Sequence, residues 1–315
     1  MDSATIDRKN PAWIIPLTQA RAREGASLDA SKADDRFWIV LVLSGTALAR
    51  VDGRASAFSA PALFCLNERE GFDLVEGKSL DVRVLSFHPS IVNSSFDFAN
   101  IRAGGEGLPL SSSQDLFWFA PFIERDEGGN PGRAARLEIG PLTAERVARI
   151  VEAVAGQIEG QPDEGWPCRS RSYLIELLFL LQRIRQATAA SGFPDAAEDA
   201  AGMEKVILYL YENYSRKVTI GELASAFNTN RTTIMGAFSK ATGTSIKDYL
   251  IGIRVRFAAS LIRDTMLPLS EIMERVGFND FPHFSKTFRE RVGCPPSEYR
   301  QRNCWMLSMY PDYRD

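Results

Sequence analysis

Reactive side chains are scarce in this sequence. Two histidines, His88 and His283, and four cysteines, Cys65, Cys168, Cys294 and Cys304, are spread over 315 residues. No two cysteines have the spacing of a zinc or redox motif, and they read as free thiols of a reducing compartment. One histidine in the amino-terminal half is too few for a site of several histidines and a carboxylate. No catalytic residue, metal or cofactor is therefore expected. Cationic chemistry is better represented. The chain carries a formal −3, yet residues 204–302 hold 15 basic and 10 acidic residues, while the remainder holds 22 and 30. A basic third on an acidic protein suits polyanion binding, although imbalances of this size also occur in proteins with no such partner.

Those cations must be positioned by helices. Met203, Val206, Ile207, Leu210, Tyr211 and Tyr214 form one helical stripe. Thr219, three residues before Glu222, reads as a capping box, opening a short helix that ends before Asn228. A second helix begins near Asn230 and carries Ile234 and Phe238. Residues 268–290 repeat this pattern. LSEIMERV ends at Gly277, which can close a helix in the left-handed conformation. Asp280 can cap the next helix, whose inner face carries Phe284 and Phe288. Ala224, Asn228, Ile234 and Phe238 thus match Met273, Gly277, Phe284 and Phe288, giving two helix-turn-helix units. Between them, Ile246, Tyr249, Leu250, Ile253, Phe257, Leu261 and Ile262 mark one helix of about 18 residues, ~27 Å long. Such a strut can hold two helices near ~34 Å apart, one turn of B-DNA.

The segment VGFNDFPHFSKTFRERVGCPPSEYR, residues 276–300, resembles the signature of the AraC/XylS transcription regulators. Tyr249-Leu250, Arg254 and Ala258 fit it too, and the resemblance covers about 205–302. It implies an all-α DNA-binding domain whose partners are promoter DNA and RNA polymerase. Activation is the expected outcome, with repression left open. The outward positions resembling base-contacting ones are Arg231, Thr232, Thr233, Met235 and Gly236 in the first unit. In the second they are Phe281, Pro282, Ser285, Lys286 and Arg289. Met235 and Gly236 have no side-chain donor, so the first unit is expected to read few bases, through Arg231 and Thr232. Lys286 can donate to guanine and Phe281 can touch a thymine methyl. Arg289, Arg291, Arg300 and Arg302 are phosphate candidates, or else solvated residues or partners of Glu290 and Glu298. Phe278, Phe284 and Phe288 are expected in the core, and His283 at the surface. Met273 stands where the family has a small residue, which implies looser packing.

The amino-terminal part reads as short strands. FWIVLVL (37–43) precedes Ser44-Gly45, Asp52-Gly53 is a hairpin signal, and ALFCL (62–66) and VRVLSF (82–87) have β composition. An all-β sandwich or barrel follows, resembling more loosely the cupin-like sensor domains of the same family. The expected fold is two-domain α+β: an amino-terminal cupin-like β-barrel with trailing helices, then a carboxy-terminal all-α double helix-turn-helix. The barrel interior is either a closed apolar core or an effector site lined by Trp38, Val40, Val42, Phe64, Phe72 and Phe87. In the latter, Arg36, Arg50 or Arg83 would orient an acidic group.

Val147, Ile150, Val151, Val154 and Ile158 have helical spacing, and YLIELLFLLQRI (173–184) is apolar over most of its circumference. Its extra face must be covered by the barrel or a second subunit. Helices 144–158 and 171–186 resemble the pair that dimerises many family members, so a homodimer is expected. The expected boundaries are 1–186 for a sensing and dimerisation domain, 187–202 for a linker, 203–302 for the DNA-binding domain and 303–315 for a tail. The longest apolar run, Phe37–Leu43, is too short for a membrane span, which takes about 20 residues. Met1–Asn10 has no signal-peptide core, so a cytoplasmic location is expected. The resulting expectation is an effector-responsive DNA-binding regulator that is not an enzyme. Its alternatives join the same module to an enzymatic barrel or to a protein-interaction barrel without a small ligand.

Overall fold

A computed structural model describes residues 4–9, 14–22, 27–28, 35–51, 53–105, 116–125, 135–137, 139–191 and 198–308. The chain divides into two compact units, Met1–Gln182 and Arg183–Asp315. Among the described residues no helix is long and apolar enough to cross a membrane.

The first unit is built on antiparallel strands. β1 (Thr5–Ile6) and β2 (Ile14–Ile15) form a small ribbon. The main sheet contains β3 (Leu17–Ala22), β4 (Ser27–Leu28), β5 (Phe37–Val51), β6 (Arg54–Ser59), β7 (Ala62–Leu66), β8 (Phe72–Phe87) and β9 (Arg136–Leu137). Its path is β3-β8-β5-β7-β9, with β4 on β8 and β6 on β5. This sheet does not close among the described residues, so the expected barrel is corrected to an open sheet.

The long strands explain the arrangement. The first half of β5 pairs with β7 and the end of β8, and its second half with β6 and the start of β8. The register shifts between Val42 and Ser44, between Ser44 and Thr46, and between Leu48 and Ala49. The face of β5 that points inward changes across the shifts that flank Ser44, while Ala47, Ala49 and Val51 keep their alternation across the third. Trp38, Val40 and Val42 therefore share one core with Ala47, Ala49 and Val51, although strict alternation would exclude the second set. On the other face Phe37 and Phe87 pack with Phe98, Phe119 and Phe122.

Helices α1 (Phe98–Arg102), α2 (Ala120–Ile123), α3 (Pro141–Gly160) and α4 (Trp166–Ser191) follow. Val147, Ile150, Val151 and Val154 are buried on α3, as their spacing predicts. On α4, Leu174, Ile175, Leu177, Leu178, Leu180, Leu181 and Ile184 are all buried within the single chain. The apolar circumference that suggested a second subunit is already covered. Helix also occupies much of the expected linker: α4 runs to Ser191 and the next helix begins at Glu198. Residues 192–197 lie outside the described ones.

The second unit is helical: α5 (Glu198–Asn213), α6 (Ile220–Ala226), α7 (Arg231–Thr242), α8 (Ile246–Asp264), α9 (Leu269–Arg275), α10 (Phe281–Val292) and α11 (Pro296–Asn303). Ile234, Phe238, Ile253, Phe257, Leu261, Ile272, Phe284 and Phe288 form its buried interior. The expected strut is the 19-residue α8. Packing extends beyond the expected boundary at 302, because Cys304 and Met306 are buried and the Trp305 indole donates to Asp264 at 3.2 Å. The rest of the expected tail, 309–315, lies outside the described residues.

Candidate nucleic-acid interface

The two units close their turns alike. Asn228 and Gly277 both have positive φ, 49° and 86°. Thr229 N–H donates to the Ala224 carbonyl at 2.9 Å, and Asn228 N–H to Ser225 at 3.3 Å. Phe278 N–H donates to Met273 at 3.0 Å, and Gly277 N–H to Glu274 at 3.0 Å. These are the paired bonds of a Schellman closure, which satisfies the last carbonyls of a helix. The second helix of each unit is then started by a side-chain cap. Asn230 accepts from Thr233 N–H at 2.8 Å, and Asp280 from His283 N–H at 2.8 Å. The Thr219 hydroxyl caps α6 by accepting from Glu222 N–H at 3.2 Å. The Glu222 carboxylate does not complete the box; it accepts from Arg216 and the Tyr209 hydroxyl.

The duplication reaches further than the four aligned positions. Gly243 and Gly293 both end their helices with positive φ. Tyr249 then meets Phe238 edge-on at 5.3 Å, as Tyr299 meets Phe288 at 5.5 Å. Each unit is also anchored by an arginine that donates to backbone carbonyls just before its first helix. Arg254 donates to the Tyr214 and Arg216 carbonyls at 2.8 and 2.9 Å, just before α6, and lies over the Phe278 ring. Burial pushes its pKa down. Arg300, 1% exposed, donates to the Leu267 carbonyl just before α9. It is therefore a buried anchor and not the phosphate contact considered from sequence. Arg291 donates to the Asp248 carbonyl and carboxylate, and Arg302 pairs with Glu298.

Ile234 and Phe238 face inward on α7, as do Phe284, Thr287 and Phe288 on α10. The opposite face of α7 exposes Arg231, Thr232, Thr233, Met235 and Gly236. On α10, Phe281, Pro282, His283, Lys286 and Arg289 are exposed, with Ser285 half-buried. Lys286 stands 4.0 Å from Glu290, with its side chain 77% exposed, so this pair holds it only weakly. The sequence-derived residues are thus brought together as two outward sets, one per unit. Sequence reasoning missed the anchoring roles of Arg254 and Arg300, because an arginine buried under a carbonyl has no periodicity signal of its own.

The effector candidates are divided. Trp38, Val40, Val42, Phe64 and Phe72 share the apolar core, with Phe64 edge-on to Phe58 and Phe72 at 5.2 Å each. Phe87 lies on the opposite sheet face, beside Phe37. Arg50 is exposed, because the register shifts in β5 turn Ala49 and Val51 inward instead. Arg83 is buried, in ion pairs with Asp81 and Glu152 at 3.0 and 3.1 Å. Arg36 is buried before β5. The His88 imidazole has its pKa lowered, first by burial and then by the Arg36 charge.

Residues 223–302 match a helix-turn-helix domain family. The chain is 34% identical over 115 residues to the uncharacterized HTH-type transcriptional regulator YdiP of Escherichia coli, covering 35% of this chain and 38% of that protein. It is 23% identical over 266 residues to the HTH-type transcriptional activator RhaR of Klebsiella pneumoniae, covering 84% and 85%. The carboxy-terminal domain of AraT, a response regulator from Geobacillus stearothermophilus, is 27% identical with a TM-score of 0.32, covering 34% of this chain and 88% of that one. The chain spans less than half the length of YdiP, of the Msm operon regulatory protein of Streptococcus mutans and of RhaR from Enterobacter. The carboxy-terminal module is a helix-turn-helix domain shared with transcription regulators.

Proposed function

We propose that this protein is a sequence-specific regulator of transcription that binds double-stranded promoter DNA through α7 and α10. One observation carries the reading. Two duplicated turns present two capped helices, each pinned inside by two aromatic or aliphatic side chains and exposing cations among polar and apolar side chains outside, one preceding and one following a single 19-residue helix along the chain. A 19-residue helix is ~28 Å long, which suits two helices entering successive major grooves on one face of the duplex. In this reading Arg231, Thr232, Lys286 and Ser285 face base edges, and Arg289 faces phosphate. The amino-terminal unit senses an effector or a partner and biases the DNA-binding unit. Activation through RNA polymerase and assembly as a homodimer in the cytoplasm complete the proposal. The similarity to transcription regulators supports the regulatory and DNA-binding part of this reading.

The test is selection of genomic fragments by the full chain, followed by sequencing. The expected result is one motif with two half-sites about one helical turn apart. Equal retention of all fragments, or none, would overturn the reading. A repeat with residues 203–315 then shows whether the amino-terminal unit restrains binding.

A further inference from the structure

Among the described residues five large apolar side chains are strongly exposed: Ile6, Phe117, Leu142, Met235 and Phe281. Two of them, Met235 at 51% and Phe281 at 42%, lie on the outward faces of α7 and α10, helices of 12 residues each. A lone exposed apolar side chain is ordinary on a soluble protein. One on each helix of a duplicated pair, amid cations, asks for a shared reason. Arg231 stands one turn before Met235, and Lys286 and Arg289 follow Phe281 on the exposed face of α10. Exposed apolar atoms on helix faces that also carry cations fit a polyanion with an apolar group at its contact surface. In the major groove of DNA that group is the thymine C5-methyl.

The local geometry suits this contact. The Phe281 ring rests edge-on against buried Phe284, with centroids 5.9 Å apart, so its exposed edge is held in place. Met235 is flexible and adjoins Gly236, where a Cβ would meet nothing within 4 Å. A base edge can therefore approach α7 closely beside the thioether. When the two units are superposed through Phe238 and Phe288, Met235 falls on Ser285 and Phe281 falls on Arg231. The apolar contacts thus sit at non-equivalent points of the two helices.

Resting on the DNA-binding reading above, we propose that Met235 and Phe281 are specificity residues, each reading a thymine methyl, with the two thymines at non-equivalent places in their half-sites. The test uses the full chain and the operator it selects. Each thymine is replaced in turn by deoxyuridine, which removes one methyl and keeps base pairing. One position per half-site is expected to weaken binding about fourfold, as loss of one buried methyl does. Met235→Ala should abolish that dependence under α7 only, and Phe281→Ala under α10 only, while Met235→Leu retains it. The alanine variants should keep the wild-type melting temperature and salt dependence of binding, since neither residue touches phosphate. Specific binding that ignores every deoxyuridine overturns this inference and leaves the DNA-binding reading standing. Deoxyuridine sensitivity unchanged in both alanine variants overturns the two residue assignments. If the chain selects no operator, the DNA-binding reading fails and this inference with it.

Discussion

At the turn of the first helix-turn-helix unit stands Asn228, at φ 49°; at the turn of the second stands Gly277, at φ 86°. Both close with the same pair of hydrogen bonds. Their surroundings differ. A Cβ at Gly277 would lie 2.7 Å from the Ser215 carbonyl oxygen and 2.9 Å from its carbon. Those are backbone atoms and cannot swing aside, whereas the first turn already accommodates the asparagine side chain. One motif is therefore tolerant in one copy and tightly packed in the other. The largest expected effect follows. Gly277→Ala should destabilise the carboxy-terminal unit by about 2–4 kcal/mol, combining left-handed strain with the clash. Asn228→Gly should shift it by less than about 0.5 kcal/mol. Urea unfolding of the two variants measures both, and equal losses would erase the distinction.

The outward faces differ in a complementary way. Superposition sets Gly236 on Lys286 and Ser239 on Arg289, so the cations of one helix stand where the other has small residues. Lys286→Ala should weaken operator binding about tenfold and relax preference at one base of its half-site. Arg289→Ala should weaken all sequences alike and lower the salt slope by about one. Repeating the fragment selection with each variant across a salt series checks this. A uniform loss for Lys286→Ala would move that residue to the phosphate class.

The helical unit was legible in the sequence because its signals are local. Thr219, Asn230 and Asp280 cap helices where their residue types predict, and Ile234, Phe238, Phe284 and Phe288 turn inward at the predicted spacing. The sheet was less legible because its decisive features are not local. Arg50 is a candidate for the interior by sequence, but the register shifts between Val42 and Thr46 turn its neighbours Ala49 and Val51 inward instead. Phe87 faces away from Trp38 because it lies opposite Phe37, a pairing between strands that composition does not encode. Arg300 looked like surface charge, since nothing in its neighbours in sequence announces the Leu267 carbonyl beneath it.

Gly236 offers a smaller test of the same comparison. It stands inside α7, where glycine costs conformational entropy, and a Cβ there would meet nothing within 4 Å. Gly236→Ala should stabilise the unit by about 1 kcal/mol. In the other copy, Lys286→Gly should lose a similar amount. Thermal melts of both variants would show whether the helices respond with opposite sign. A destabilised Gly236→Ala would mean that α7 uses the glycine for something other than space.

The smallest expected effect belongs to the first unit's entry. The Glu222 carboxyl is held down to about 2 from an ordinary 4.5, first by Arg216 and then by the Tyr209 hydroxyl. A carboxylate with a depressed folded pKa adds stability that is fully present above its unfolded value and lost as pH falls through the folded one. The window here runs from about pH 4.5 down to about pH 2. The side chain is 32% exposed, so solvent screening limits the contribution to about 0.5–1 kcal/mol. Glu222→Gln should melt below the wild type above pH 4.5, and the gap should narrow as pH falls and close near pH 2. A gap that stays constant with pH would mean that Glu222 supports α6 through hydrogen bonds a neutral amide also lacks, and not through its charge.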